Sequence, residues 1–505
     1  MARRDVGICL ALAGLTVLLH LVTAGRGGIF RDELYYLACS EHLDFGYVDQ
    51  PPLVAFLAWF ARHIFGESLI GLRLLPALAA GGTVLLTAGM ARHLGGTSVA
   101  SVLAALMVAV APIYVSLFGY LSMNAFDVLF WAAALHTLIR LLQGADPRLW
   151  LRFGLWCGIG LQNKLSIGLL GVGVLVGLIV AREWRHLRSR WLWLGGGLVL
   201  LLSLPHLVWQ SQHGWPVLEF MANAMGSKNA SLSPLETLRA WTRQMNPFAA
   251  PVALAGLLFL LVLRRGIPFR ALGWANIVIV VLLVTRNTKP YYLSPLFSLL
   301  FAAGSVVVGR LAERRRGRWV PVAVIAVIAT SGLALVPLAK PVLDVETYIA
   351  YATRLGRAPR AEENHELGRL PQFFADRIGW RELAQTVGRV FDTLPAEDRA
   401  RACIFGQNYG QAGAIDFYGP DLGLPKAISG HNSYALWGPH GCSGDLVIVI
   451  DGDEEDLREV FEEAVHVTTY TCQDCMPYEN DKQIWICRRA RIPLATLWPD
   501  LRHFD

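Results

Sequence analysis

Charge is what this chain has least of. Asp, Glu, Lys and Arg make up 17% of its 505 residues, where about a quarter is usual for a soluble domain. That scarcity, beside 54% hydrophobic residues and a mean hydropathy of +0.43, excludes an ordinary soluble protein. Phosphate-cradling glycine patterns are missing too. The glycines of "GQNYGQAG" (406–413) follow a strand-like run and precede a helix-like one, yet they have neither P-loop nor G-x-G-x-x-G spacing, so they read as a close-packed turn. Cys472 and Cys475 lack the second C-x-x-C of the usual zinc site, and the "MPYEN" that follows suits a turn rather than the helix of a thioredoxin-type centre.

What is present is compatible with lipid. Apolar blocks of the ~20 residues that a bilayer demands occupy roughly 6–24, 70–90, 98–118, 121–141, 152–181, 191–209, 248–263, 270–285, 291–309 and 319–339. This is the pattern of a polytopic α-helical membrane protein. Basic clusters stand at Arg3 and Arg4, at Arg92, at Arg140 with Arg148 and Arg152, at Arg182 through Arg190, at Arg264 with Arg265 and Arg270, and at Arg310 through Arg318. The positive-inside rule puts all of them on the cytoplasmic side. The clusters flanking 152–181 then share a side, so that block crosses twice or re-enters, with Asn163 and Lys164 near its turn. About eleven crossings follow. The N-terminus is expected in the cytoplasm, and residues 25–69, 119–122, 210–247, 286–290 and everything after 340 are expected outside. A cleavable signal peptide is the alternative for the first residues, but no clear cleavage site follows the apolar run.

Past Lys340 the chain turns polar. Strands are expected at 401–406, 445–451, 465–471 and 482–488, and helices at 379–393 and 453–464, giving a C-terminal extracytoplasmic α/β domain over 340–505 beside a membrane part over 1–339. Five of the eight cysteines, Cys403, Cys442, Cys472, Cys475 and Cys487, lie in it. An oxidising exterior favours one or two disulfides among them.

The first outward loop, 25–69, holds "RDELYYLACSEHLDFGYVDQPPL" (31–53). Asp32 and Glu33 follow the first span closely, at the height of a lipid head group. Neighbouring helical residues point about 100° apart, so one carboxylate can aim at a reacting atom while the other positions it. A carboxylate here suits a general base accepting a proton from an attacking hydroxyl. A solvated interfacial helix is the plainer account of the same charges.

This stretch, extended through "VAFLAWF", resembles the first external loop of the GT-C glycosyltransferases that use polyprenyl-phosphate sugars, the group containing protein O-mannosyltransferases and lipid A aminoarabinose transferases. The acidic pair, the aromatics and the paired prolines come in the same order. The likeness continues in "SMNAFDVLFW" (122–131), "GIGLQNKLSIGLL" (158–170), "LPHLVWQSQHGWPVLEF" (204–220), "TKPYYLSPLFSLLFAAG" (288–304), "GQNYGQAGAIDFYGP" (406–420) and "SGHNSYALWGP" (429–439). It departs at Gln50, where many relatives have Lys or His, and at Asn124, where many have Asp and this chain has Asp127 one turn later.

The resemblance implies a multi-pass enzyme of the bacterial inner membrane. It would transfer a sugar, with inversion, from a polyprenyl-phosphate donor to a hydroxyl on an envelope glycan, lipid or protein, with no nucleic acid among its partners. No metal ligand set is implied, although a divalent ion is compatible with the chemistry. Asp32 would be the base and Glu33 its positioner. Tyr35, Tyr36, Asp49, Asn124, Asp127, Lys164, Arg286, Lys289 and Tyr291 would bind substrate. Asp49 equally suits a cap on the helix after Pro51 and Pro52, Lys164 equally suits snorkelling, and Arg286 and Lys289 equally suit interface anchors. Asp127 is costly inside a span and is expected to face the groove rather than lipid. A transporter or flippase of lipid-linked sugars is the competing function, since intramembrane ionisable residues would serve it as well.

Overall fold

Sequences this apolar can satisfy their backbone groups in lipid only by closing them into helices. In the structure, a computed structural model describing residues 3–228, 232–285, 288–313, 317–359 and 366–505, seven apolar helices are long enough to cross a bilayer: Asp5–Val22, Leu69–His93, Met123–Leu142, Arg190–Gln212, Arg264–Thr285, Pro290–Leu311 and Val320–Ala339. Shorter apolar helices, Ser98–Val110, Leu149–Leu161, Leu165–Val180 and Ala250–Leu261, occupy the other expected blocks.

Two of those blocks are broken for local reasons. The block at 98–118 divides because Pro112 starts a new helix, Pro112–Leu117, after an extended Ala111; the residue before proline is driven out of the helical region. The block at 152–181 divides where expected. Lys164 is extended, and the two halves take different partners: Leu149–Leu161 packs on Arg190–Gln212 while Gly168–Val180 packs on Arg270–Thr285.

The loop after the first span is built from two helices, Arg31–Glu41 and Leu53–Phe65. The second begins after Pro52 with no side-chain cap. Asp49 instead accepts a hydrogen bond from the Tyr35 hydroxyl at 2.9 Å, so it ties the loop to the helix before it.

The C-terminal portion carries a five-stranded mixed sheet in the order β2-β1-β3-β5-β4, with β1 at Cys403–Gly406, β2 at Ala427–Ile428, β3 at Leu446–Ile450, β4 at Phe461–Tyr470 and β5 at Lys482–Ala490. β1 runs parallel to β2 and β3, and β5 runs antiparallel to β3 and β4. The helix expected over 453–464 ends at Val460. Phe461 and Ala464 pair with Ala490 and Cys487 on β5, and both are buried, so cross-strand packing overrides the helix preference of "EEA". Cys403 and Cys442 form a disulfide, while Cys472, Cys475 and Cys487 are free thiols.

One buried cluster runs from Leu103 and Leu135 in the membrane helices through Leu34 and Leu37 of the loop to Ile404, Ile415 and Ile448 of the sheet. Helix Tyr409–Tyr418 packs directly on helix Arg31–Glu41. Glycine makes that approach feasible: a Cβ on Gly410 would lie 2.8 Å from Arg31 Cγ, and one on Gly413 would lie 2.9 Å from Leu34 Cβ.

Candidate active site

Burial separates the two carboxylates of the loop. Between 31 and 40 every residue is buried except Asp32. Asp32 lines an open cavity of about 670 Å³ with Arg31, Asn124, Lys289, Tyr291, Gln372 and Asp376. Its remaining wall is mostly apolar, from Phe30, Ile113, Leu117, Tyr120 and Phe373. Helix Arg31–Glu41 supplies the carboxylate, helix Met123–Leu142 the amide, the segment before Ser294 the cation and tyrosine, and the C-terminal portion Gln372 and Asp376.

The C-terminal portion also holds Asp32 in place. The Tyr409 hydroxyl donates to Asp32 Oδ1 at 3.1 Å, and the Tyr409 ring stacks on Tyr35 at 4.7 Å with the Arg31 guanidinium 5.0 Å from its centroid. Arg31 is pinned as well. Its amide donates to the Asp376 carbonyl at 3.0 Å, its Nη1 donates to the Tyr478 hydroxyl at 2.5 Å, and that hydroxyl donates to Asp376 Oδ1 at 2.9 Å.

Glu33 points elsewhere, away from the cavity that Asp32 lines. It is 0% exposed, and its carboxylate bonds the equally buried Arg73 at 2.5 Å. It also accepts from the Phe30 amide at 3.0 Å and the Leu121 amide at 2.8 Å. Burial by itself would raise this carboxyl, but the Arg73 charge and hydrogen bonds, with Arg377 and the Phe30 amide, outweigh it and hold Glu33 below its ordinary value. Arg73 further bonds the Ala24 and Gly28 carbonyls. The acidic pair is thus one surface carboxylate and one buried counter-ion.

The other expected residues fall into two groups. Asn124, Lys289 and Tyr291 line the cavity with Asp32, and Lys164 reaches it indirectly: Nζ donates to Asn124 Oδ1 at 2.5 Å and sits 4.2 Å and 5.1 Å from the Tyr292 and Tyr291 centroids. Lys164 is buried, so it does not snorkel. Tyr35, Tyr36 and Asp127 stand outside the lining. The tyrosines are buried packing, with the Tyr35 hydroxyl bonded to Asp49 and to Ser433 Oγ at 2.7 Å. Asp127 is buried among helices, accepting from Trp131 Nε1 at 3.0 Å and Ser166 Oγ at 2.8 Å. Arg286 lies outside the described residues. Arg31, Tyr120, Gln372, Asp376 and Tyr409 were not anticipated; the only sequence signal was the glycine spacing at 410 and 413, small residues three apart on a helix that must sit close to a neighbour.

Two further cavities lack this combination. A cleft of about 290 Å³ shares Lys289 but has no carboxylate in its wall among the described residues. A cavity of about 1030 Å³ lies across helix Arg31–Glu41 from Asp32, and several of its charges are paired with one another, Glu41 with Arg62 and Lys426, and Glu67 with Arg62. Among the described residues, His431, His503 and Asp505 group closely enough to hold a metal ion. However, His431 Nδ1 accepts from the Tyr409 amide at 3.3 Å, which puts the ring hydrogen on Nε2, where it faces Asp505 Oδ1 at 2.9 Å. That tautomer suits a hydrogen bond better than a metal.

Residues 49–209 match the family model described as dolichyl-phosphate-mannose-protein mannosyltransferase. Undecaprenyl phosphate-alpha-4-amino-4-deoxy-L-arabinose arabinosyl transferase 2 of Pseudomonas fluorescens (strain Pf0-1) is 26% identical over 200 residues, 36% of this chain and 35% of that protein. The match therefore spans about a third of the curated relative's length. The crystal structure of ArnT from Cupriavidus metallidurans bound to undecaprenyl phosphate is similar with a TM-score of 0.62 at 15% identity, covering 96% of this chain and 98% of that one; the apo form gives 0.63 at 14%, covering 95% and 98%. The arabinofuranosyltransferase AftD from Mycobacteria gives 0.54 at 15%, covering 97% of this chain and 40% of AftD. At such identities the structures testify to fold, a multi-pass helical membrane protein with an added sheet domain. In that fold, and in the stretch of sequence that matches, the chain resembles the GT-C glycosyltransferases that use polyprenyl-phosphate sugars.

Proposed function

We propose that this chain is a membrane glycosyltransferase that moves a sugar from a polyprenyl-phosphate donor to an acceptor hydroxyl outside the cytoplasmic membrane, with inversion at the anomeric carbon. The observation that carries this reading is the cavity in which Asp32, the one unburied residue between 31 and 40, shares a wall with Lys289 and Asn124. The acceptor oxygen attacks the anomeric carbon while Asp32 takes its proton. The bond from that carbon to the phosphate oxygen breaks, and the polyprenyl phosphate leaves with the electron pair. Lys289 and Arg31 offset the charge that develops on the phosphate, a role for which fixed cations in a partly dry site are suited. Tyr409 orients the base, and Glu33 with Arg73 fixes the helix that carries it. Residues 1–339 act as the membrane part, and residues 340–505 as an outer domain that completes the site. The flippase alternative draws no support from this placement, since the cavity's charged groups gather at the loop and not along a path through the spans.

Replacing Lys289 by Ala is expected to raise the donor concentration needed for half-maximal transfer by about tenfold or more, the effect of losing a charge-assisted hydrogen bond of ~1.5–3 kcal/mol. Initial rates against donor at saturating acceptor measure it. An unchanged donor dependence would leave Lys289 as an interface anchor.

The arginine clusters support an inner-membrane protein with a cytoplasmic N-terminus and the sheet outside. Reporter fusions after Asp505 should therefore be active only in the version that requires export. Activity of the cytoplasmic reporter there would remove the site from the outer surface.

A further inference from the structure

The turn between β4 and β5 contains "CQDCMPYEN" (472–480), and it packs on the segment that brings Gln372, Phe373 and Asp376 to the cavity. The Cys472 amide donates to Asn480 Oδ1 at 2.6 Å and closes the turn. Met476, 1% exposed, packs with Tyr348, Leu370, Phe374 and Ala375, the chain around Gln372 and Asp376. Tyr478 stands between Arg31 and Asp376. Glu479 accepts from Asn408 Nδ2 at 2.8 Å and Gln411 Nε2 at 2.9 Å, where the helix bearing Tyr409 begins.

Two thiols sit at the base of this turn. Cys475 is buried and Cys472 half-buried. The Cys475 thiol donates to the Cys472 carbonyl at 3.1 Å, and the neighbouring Cys475 thiol, with the Tyr470 hydroxyl, holds Cys472 below the ordinary thiol range. We propose that Cys472 and Cys475 are a redox-modified pair, closed to a disulfide by a disulfide-bearing oxidant outside the membrane, and that the bridge clamps the turn which holds Arg31 and Asp376 against the cavity. The proposal rests on the outward placement of the sheet.

The chemistry balances without a further reagent. Cys472, the more accessible sulfur, attacks as thiolate one sulfur of the oxidant; the oxidant's S–S bond breaks and one of its thiols leaves with a proton. Cys475, losing its own proton, then attacks the Cys472 sulfur of the mixed disulfide and releases the second oxidant thiol. Two electrons pass to the oxidant, and one disulfide replaces another. Cys403–Cys442, already bridged in the same sheet domain, is an internal reference for the compartment.

The test is peptide mass spectrometry on membranes quenched with an alkylating agent, combined with transfer assays before and after a mild dithiol reductant. The expected result is a Cys472–Cys475 linked peptide, with wild-type turnover falling roughly tenfold on reduction, within the ~10²-fold that a 1 Å misplacement can cost. The Cys472→Ser/Cys475→Ser variant should be slow already and insensitive to reductant, while Cys403→Ser/Cys442→Ser keeps the sensitivity. Free thiols at 472 and 475 beside an intact Cys403–Cys442 bridge would overturn the proposal alone. Free thiols in both pairs would overturn it together with the outward placement. A linked peptide whose reduction leaves turnover unchanged would remove the clamp.

Discussion

Asp32→Asn should lower the rate of sugar transfer by about 10²–10⁴-fold, the range a general base contributes, while the protein inserts and folds as before. The substitution keeps the shape of the side chain and one oxygen for the Tyr409 hydroxyl, which donates to Oδ1 at 3.1 Å in the native chain. What it removes is the site to which the acceptor proton moves. Because Asp32 is the one residue between 31 and 40 that is not buried, the change disturbs no core packing. An in vitro assay with purified variant, a pool of polyprenyl-phosphate sugars and envelope acceptors measures the loss, and melting in detergent confirms the fold. Full transfer by Asp32→Asn would take the base out of the mechanism. Movement of lipid-linked sugar across vesicles without transfer would favour the flippase.

Glu33→Gln should fail differently, through the fold. Breaking one side of a buried ion pair costs on the order of 3–5 kcal/mol, because the partner keeps its charge in a dry place. Here the partner is Arg73, 2% exposed and 2.5 Å from the carboxylate, and the same carboxylate serves the Phe30 and Leu121 amides. The expected outcome is less protein in the membrane and an earlier melt, with the surviving folded fraction transferring sugar at close to the native specific rate. Replacing both partners, Glu33→Gln with Arg73→Met, should recover part of the melt, since removing both charges is far less costly than removing one. A Glu33→Gln protein with a native melt and no transfer would return Glu33 to the chemistry.

The contrast between these neighbours shows what a sequence can carry. Adjacent carboxylates after a span announce that one of them is special, but which one depends on Arg73, forty residues on, and nothing local marks that arginine as a partner. The spans were legible because their signal is local: ~20 apolar residues in a row, and a break at Lys164 where a charge interrupts them. Asn124, Lys289 and Tyr291 were legible through family-like motifs and do line the cavity with Asp32. Tyr35 and Asp127 stood in such motifs too, yet they make packing contacts and bonds to neighbouring segments, because a motif records position along the chain and not the side from which a cavity opens. Gln372, Asp376 and Tyr409 were hidden for another reason. They come from the polar portion, where a single glutamine or tyrosine has no pattern to stand out from, and only docking onto helix Arg31–Glu41 gives them a role.

That docking sets a timetable for the ribosome. Asp32 and the tyrosine that orients it are separated by 377 residues, and at ~5–20 residues per second synthesis needs on the order of 20–75 s to cover that distance. Throughout this interval the surface around Leu34 that will receive Gly413 is still bare. Until the last third of the polypeptide has been made, helix Arg31–Glu41 therefore lacks its partner helix and Asp32 lacks the Tyr409 hydroxyl. The long span between Asp32 and Tyr409 thus ties the placement of this carboxylate to synthesis of the C-terminal portion.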